Sequence, residues 1–231
     1  MTKTKKPLVG IVGGMGPSAT VYLQQLILQF ASSKNDQGHI PFLLFMNPQI
    51  LSRQEDGGNY IKEVYRSIKV LEHAGATHIV LACYSAYIGI EEIQSKINVK
   101  LIDIPLLTIN WISQNFSEKK IGLLAAPKVL KAKLFQAPLE SFGYKIIIPS
   151  AVIQNKYVEK AIYDPNFGIK SGNIEESNKM ILHAMKHLVS RGAEKIIFGC
   201  TDLPVAYSTD DQGIIDPLRI LAKYIVKLSK G

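Results

Sequence analysis

Two cysteines occur in the 231 residues, and both end a short apolar run: Ile79-Val80-Leu81-Ala82-Cys83 and Ile196-Ile197-Phe198-Gly199-Cys200. A polar pair follows each, Tyr84-Ser85 in one case and Thr201-Asp202 in the other. A lone cysteine in such a place is ordinarily a small buried hydrophobe. Two at equivalent strand ends suggest chemistry, because the C-terminal ends of strands in open α/β sheets are where ligands bind. A pair of equal thiols suits removal of a proton from one face of a carbon and return of a proton to the opposite face, with one group as thiolate and the other as thiol in alternation. A thiol of ordinary pKa near 8.5 is brought toward this role by a helix N-terminus or a nearby cation, which a strand-to-helix turn can supply. Such chemistry requires no metal and no cofactor.

The elements that must position these thiols are written twice. Val9-Gly10-Ile11-Val12 matches Ile121-Gly122-Leu123-Leu124; the segment from Gly75 to Cys83 matches that from Gly192 to Cys200; Leu101-Ile102-Asp103 matches Ile214-Ile215-Asp216. The three matches keep their order and lie 112, 117 and 113 residues apart. Internal repetition on this scale predicts two similar α/β halves related by a pseudo-two-fold axis. Apolar runs at 8–12, 42–46, 78–83, 99–104, 121–125, 145–148, 195–199 and 214–215 read as strands. They alternate with segments of helical periodicity at 18–30, 60–73, 87–97, 129–142, 174–189 and 218–228. The pattern predicts an α/β fold with two doubly wound parallel-sheet lobes and the site in the cleft between them.

Composition narrows the functional classes. With 47% hydrophobic and 20% charged residues the chain has enough apolar material for a packed core, which excludes a disordered or collagen-like protein. No apolar run reaches the roughly 18 residues of a membrane span. The basic start MTKTKKPLVGIVGG turns into glycines rather than a cleavage site, so the expectation is a cytoplasmic protein without a secretory signal. Two cysteines cannot make a disulfide framework. The formal charge of +8 is compatible with anionic ligands. Its lysines are scattered and no aromatic residues interleave with them, so nucleic acid is not an expected partner.

The segments VGIVGGMGPSAT, NPQILSR, ACYSAY, KKIGLLAAP, AIYDPNFGIKSGN and IIFGCTDLP, in this order and spacing, resemble the aspartate/glutamate racemase family of cofactor-independent amino-acid racemases. GGMGPxAT and GCTDLP are the specific signatures, and the resemblance extends from Leu8 to about Asp216. It implies that Cys83 and Cys200 are the catalytic acid/bases. It places Thr201 and neighbouring main-chain amides on the α-carboxylate of an amino acid, lines the cleft with Gly14, Met15 and Gly16, and assigns Arg53 and Lys170 to the side-chain carboxylate of an acidic substrate, while Tyr84 and Ser85 beside the first cysteine are further candidate substrate-binding residues. It also implies a homodimer, a first lobe of residues 1–105 with 207–231, and a second lobe of residues 106–206. The chain departs from the family pattern Cys-Asn-Thr-Ala-His at Tyr84, Ser85 and Tyr87, and has Ala126 where the family usually has threonine after GLLA.

Two other readings stand beside this one. A catalytically altered member would serve as a binding module for small anions, as Tyr84 and Ala126 suggest. Gly14-Met15-Gly16-Pro17-Ser18-Ala19 also fits the dinucleotide fingerprint, but Asn47 stands where the acidic ribose partner belongs. His183 and His187 have the i, i+4 spacing of metal ligands without the accompanying glutamate, and read as a solvated helix face.

Overall fold

The computed structural model describes residues 7–50, 60–209 and 211–230. Its first sheet contains β1 (Val9–Gly13), β2 (Phe42–Met46), β3 (His78–Leu81) and β4 (Lys100–Leu101), hydrogen-bonded in the order β2-β1-β3-β4. Its second contains β5 (Lys120–Ala125), β6 (Lys145–Ile147), β7 (Lys195–Gly199) and β8 (Ile214–Ile215), in the order β6-β5-β7-β8. All six strand pairings are parallel. The repeated segments therefore occupy the same stations in both sheets: β1 and β5 are central, β3 and β7 follow them, and β4 and β8 form one edge.

A shared glycine explains why the repeat is legible. A Cβ on Gly10 of β1 would lie 3.1 Å from Leu71 Cβ and 3.0 Å from Ala76 Cβ; one on Gly122 of β5 would lie 2.9 Å from Leu188 Cδ1 and 3.1 Å from Ala193 Cβ. In each sheet the central strand has no side chain where the helix before the cysteine strand crosses it, Tyr60–His73 in one case and Ile174–Ser190 in the other. Close helix–strand packing selects glycine there.

The chain forms two compact units. One runs through Ile104 and resumes at Leu218, and the other is Pro105–Pro217. β8 pairs with β7, Ile196 opposite Ile214 and Ile197 opposite Ile215, so β8 belongs to the second sheet.

Local structure departs from the periodicity in several places, among them the helix expected at 87–97, which is confined to Ile90–Gln94. Ile104–Asn115 is a helix where an apolar strand to residue 104 was expected; β4 itself has two residues. Its sequence IPLLTINWISQN lacks a clear polar face, so no helical period was visible. The expected helix at 129–142 divides into Pro127–Lys131 and Gln136–Ser141 around Lys133, whose φ of 52° is left-handed and cannot continue a helix. Helical residues Ala151–Tyr163 start at Ser150, whose side chain caps Ile153 N, and contain a π-helical stretch, Gln154–Glu159. No helix among the described residues is long and apolar enough to cross a membrane.

Candidate functional site

Both cysteines lie just beyond the C-terminal ends of their strands, and neither is in a disulfide. In the first unit Cys83 is half-buried, and its Sγ lies 3.2 Å from Ser85 Oγ. The turn after β1 is at the same sheet edge. Gly14 has φ +99°, and its N–H donates to Thr20 Oγ1 at 3.3 Å, while Thr20 Oγ1 donates to Gly16 O at 3.0 Å. Asn47, beyond β2, braces the turn: its N–H donates to Gly13 O at 3.1 Å, and its Nδ2 donates to Ser67 Oγ at 2.9 Å. These contacts give the glycines and the threonine of GGMGPSAT their structural roles in the turn. They also engage Asn47 in the scaffold, where a dinucleotide site would present a carboxylate.

In the second unit Cys200 is buried and 9% exposed, and its Sγ donates to Asp202 Oδ2 at 4.0 Å. The same oxygen pairs with Lys170 Nζ at 3.2 Å. Asp202 is 3% exposed, whereas the Lys170 side chain is 37% exposed. Burial pushes the Asp202 carboxyl above its ordinary range, against the pull of the Lys170 ammonium. A carboxyl raised in this way stabilises the fold below its unfolded-state pKa, and that contribution is lost as pH rises through the folded value.

Helix dipoles contribute less than the sequence suggested. Tyr84–Tyr87 is a four-residue 3-10 turn and Leu203–Ala206 a four-residue helix, too short to build a strong macrodipole beside either thiol. The charges next to Cys200 are side chains.

The remaining expected residues are placed as follows. Met15 is half-buried, with Tyr60 Oη donating to its Sδ at 3.8 Å. Tyr84 is 1% exposed and Thr201 2% exposed. Arg53 lies outside the described residues. Tyr87, at the position of the family histidine, is a brace: its hydroxyl donates to Ile102 O at 2.8 Å and accepts from Leu81 N at 3.1 Å. Full burial pushes this phenol well above its ordinary range, so it stays a neutral donor. Tyr87→Phe leaves Leu81 N–H and Ile102 C=O without that hydroxyl in the interior, and is expected to cost about 1–3 kcal/mol in denaturant unfolding.

Two residues of this edge were not singled out by the sequence. Asp202 sits inside GCTDLP, where a buried acid two residues after the thiol was the available signal. Gln154 gave none: it enters from the π-helical stretch, and its Nε2 donates to Ala125 O, at the end of β5, at 3.1 Å. His183 and His187 have other partners. The His183 ring stacks on Tyr157 at 3.9 Å, and His187 Nε2 accepts from Ser150 N at 3.3 Å. No group of three or more His, Cys, Asp and Glu side chains among the described residues could hold a metal ion.

Two parallel sheets of equal strand order, each with a cysteine just beyond the C-terminal end of one strand, define a repeated doubly wound α/β protein. The Asp/Glu/hydantoin racemase family model matches residues 12–225, and the chain belongs to that family. It is 26% identical over 227 residues to the broad specificity amino-acid racemase RacX of Bacillus subtilis (strain 168), covering 95% of this chain and 96% of that one. The fold is similar to that of Picrophilus torridus aspartate racemase, with a TM-score of 0.84 at 23% identity over 97% of this chain and 94% of that one. It is also similar to that of glutamate racemase isoform RacE1 from Bacillus anthracis, with a TM-score of 0.66 at 14% identity over 97% and 82% of the two chains.

Proposed function

We propose that the protein is a cofactor-independent amino-acid racemase in which Cys83 and Cys200 exchange the α-proton. One observation carries this reading: the two thiols end β3 and β7, equivalent strands of two sheets with the same order. One cysteine, as thiolate, takes the α-proton and becomes a thiol. The other, as thiol, delivers its proton to the opposite face and becomes a thiolate, and the carbanion charge is spread onto the α-carboxylate meanwhile. Ser85, Thr201 and nearby main-chain N–H groups are the proposed carboxylate partners, since hydrogen bonds aimed at developing charge contribute most to such steps. Met15 and Tyr84 are proposed to bound the substrate space. Tyr84 presents a ring and one hydroxyl where an asparagine would offer two amide hydrogens.

Likeness to RacX over nearly the whole chain supports a substrate range broader than Asp and Glu. The test is incubation of the purified protein with single enantiomers of Asp, Glu, Ala and Ser in deuterium oxide, without added cofactor. Loss of the α-proton signal by NMR and appearance of the other enantiomer by chiral chromatography are expected for at least one of them. Absence of both for every amino acid in the panel overturns the racemase reading.

A further inference from the structure

We propose that Lys170 serves to neutralise Asp202, which in turn holds the Cys200 thiol, so that Lys170 supports turnover of amino acids whatever their side chain. This rests on the reading of Cys200 as a proton-transfer group. It reverses the role that resemblance assigned to Lys170, that of a receptor for a substrate side-chain carboxylate.

The geometry is a three-membered chain meeting at one atom. Asp202 Oδ2 accepts from Cys200 Sγ at 4.0 Å and lies 3.2 Å from Lys170 Nζ. The aspartate is buried and the lysine half-exposed, so one oxygen of a desolvated carboxylate meets both the ammonium and the thiol. A buried carboxylate without a cation is strongly disfavoured. The charge of Lys170 is therefore already matched within the protein. A substrate carboxylate arriving there meets a salt-bridged pair of zero net charge, which offers little discrimination between acidic and neutral side chains. Asp202 in turn gives the Cys200 thiol a fixed acceptor, orienting its proton. Asp202 and Lys170 act through Cys200, and both are positioning residues.

The inference is tested with Lys170→Met, Asp202→Asn and the double variant. Exchange of the α-proton is measured for aspartate and alanine, thermal unfolding for all three variants, and alkylation of Cys200 by iodoacetamide in a Cys83→Ser background, where Cys200 is the only thiol in the chain. Lys170→Met is expected to slow exchange of both amino acids by the same factor, and to have little further effect once Asp202 is asparagine. It should lower the unfolding midpoint, and the added Asp202→Asn should restore it. Asp202→Asn removes an anion beside the thiol and leaves the cation, so Cys200 should alkylate roughly ten-fold faster at neutral pH, the size expected for one partly screened charge.

Selective loss of aspartate exchange in Lys170→Met, with alanine untouched, overturns the proposal in favour of a carboxylate receptor. Equal effects of Lys170→Met with and without Asp202 also overturn it, as does unchanged alkylation of Cys200 in Asp202→Asn. If the parent protein exchanges no amino acid, the racemase reading fails by itself. The alkylation and unfolding measurements then still decide the linkage of Lys170, Asp202 and Cys200.

Discussion

Replacement of Cys83 or of Cys200 by serine is expected to lower racemisation by about 10³-fold, the mid-range for loss of one general acid or base. The loss corresponds to roughly 4 kcal/mol of transition-state stabilisation. A hydroxyl occupies nearly the same place as the thiol but is a far weaker acid, so it supplies neither a base near neutrality nor an easily released proton. Both directions should fall together, because enantiomers have equal free energies and each direction needs a base on one face and an acid on the other. Solvent exchange should separate the two variants. With Cys83 replaced, Cys200 still removes and returns a proton on its own face, so one enantiomer keeps exchanging without inverting; with Cys200 replaced, the other enantiomer does so. Chiral chromatography and α-proton NMR on single enantiomers measure the two effects. A serine variant that racemises at the parent rate sinks the two-thiol mechanism.

Gly14→Ala is expected to be the most damaging single methyl in the first unit. The residue has φ +99°, a conformation that an L side chain rarely adopts, and its Cβ would lie 2.4 Å from Asn47 O and 2.9 Å from Asn47 N. Those are main-chain atoms. Asn47 cannot yield, because its N–H is bonded to Gly13 O and its side chain to Ser67. Positive-φ strain and overpacking each contribute about 1–3 kcal/mol, giving a total of roughly 2–6 kcal/mol. The unfolding midpoint should fall by about 4 to 24 °C for a protein of this size. By contrast, Gly75→Ala shares a φ of +99° but has nothing within 4 Å of the added atom, so only the conformational strain remains. A Gly14→Ala variant no less stable than Gly75→Ala would show that the contact with Asn47 is soft.

The eight strands of the described residues were legible in the sequence to within a few residues, because strands buried on both faces read as continuous apolar runs bounded by polar segments. Helices with one polar face were equally legible: 60–73 was expected and Tyr60–His73 is found. Ile104–Asn115 was not, since its residues are apolar on more than one side and its period is hidden. The break at Lys133 was not legible either, because no residue type there requires a left-handed conformation. At the candidate site, the sequence marked the cysteines by their place in a repeat, but gave no sign that Tyr87 would brace Leu81 and Ile102, or that Gln154 would reach Ala125.

By itself the sequence determined the two-fold repetition, the parallel α/β class and the location of both thiols at strand ends, since these follow from local periodicity and from glycine at one fixed station. The racemase family was likewise legible in its motifs. Only the tertiary structure decided which oxygen Lys170 faces. Lys170 and Asp202 lie 32 residues apart along the chain, and the energetic need of a buried carboxylate for a cation becomes visible only when both side chains have places in space. The same holds for Asn47, whose part in the glycine turn depends on β1 and β2 being neighbours in the sheet. Local chemistry is written in the order of residues, whereas the pairing of charges and the space left for a side chain are set by contacts between distant segments.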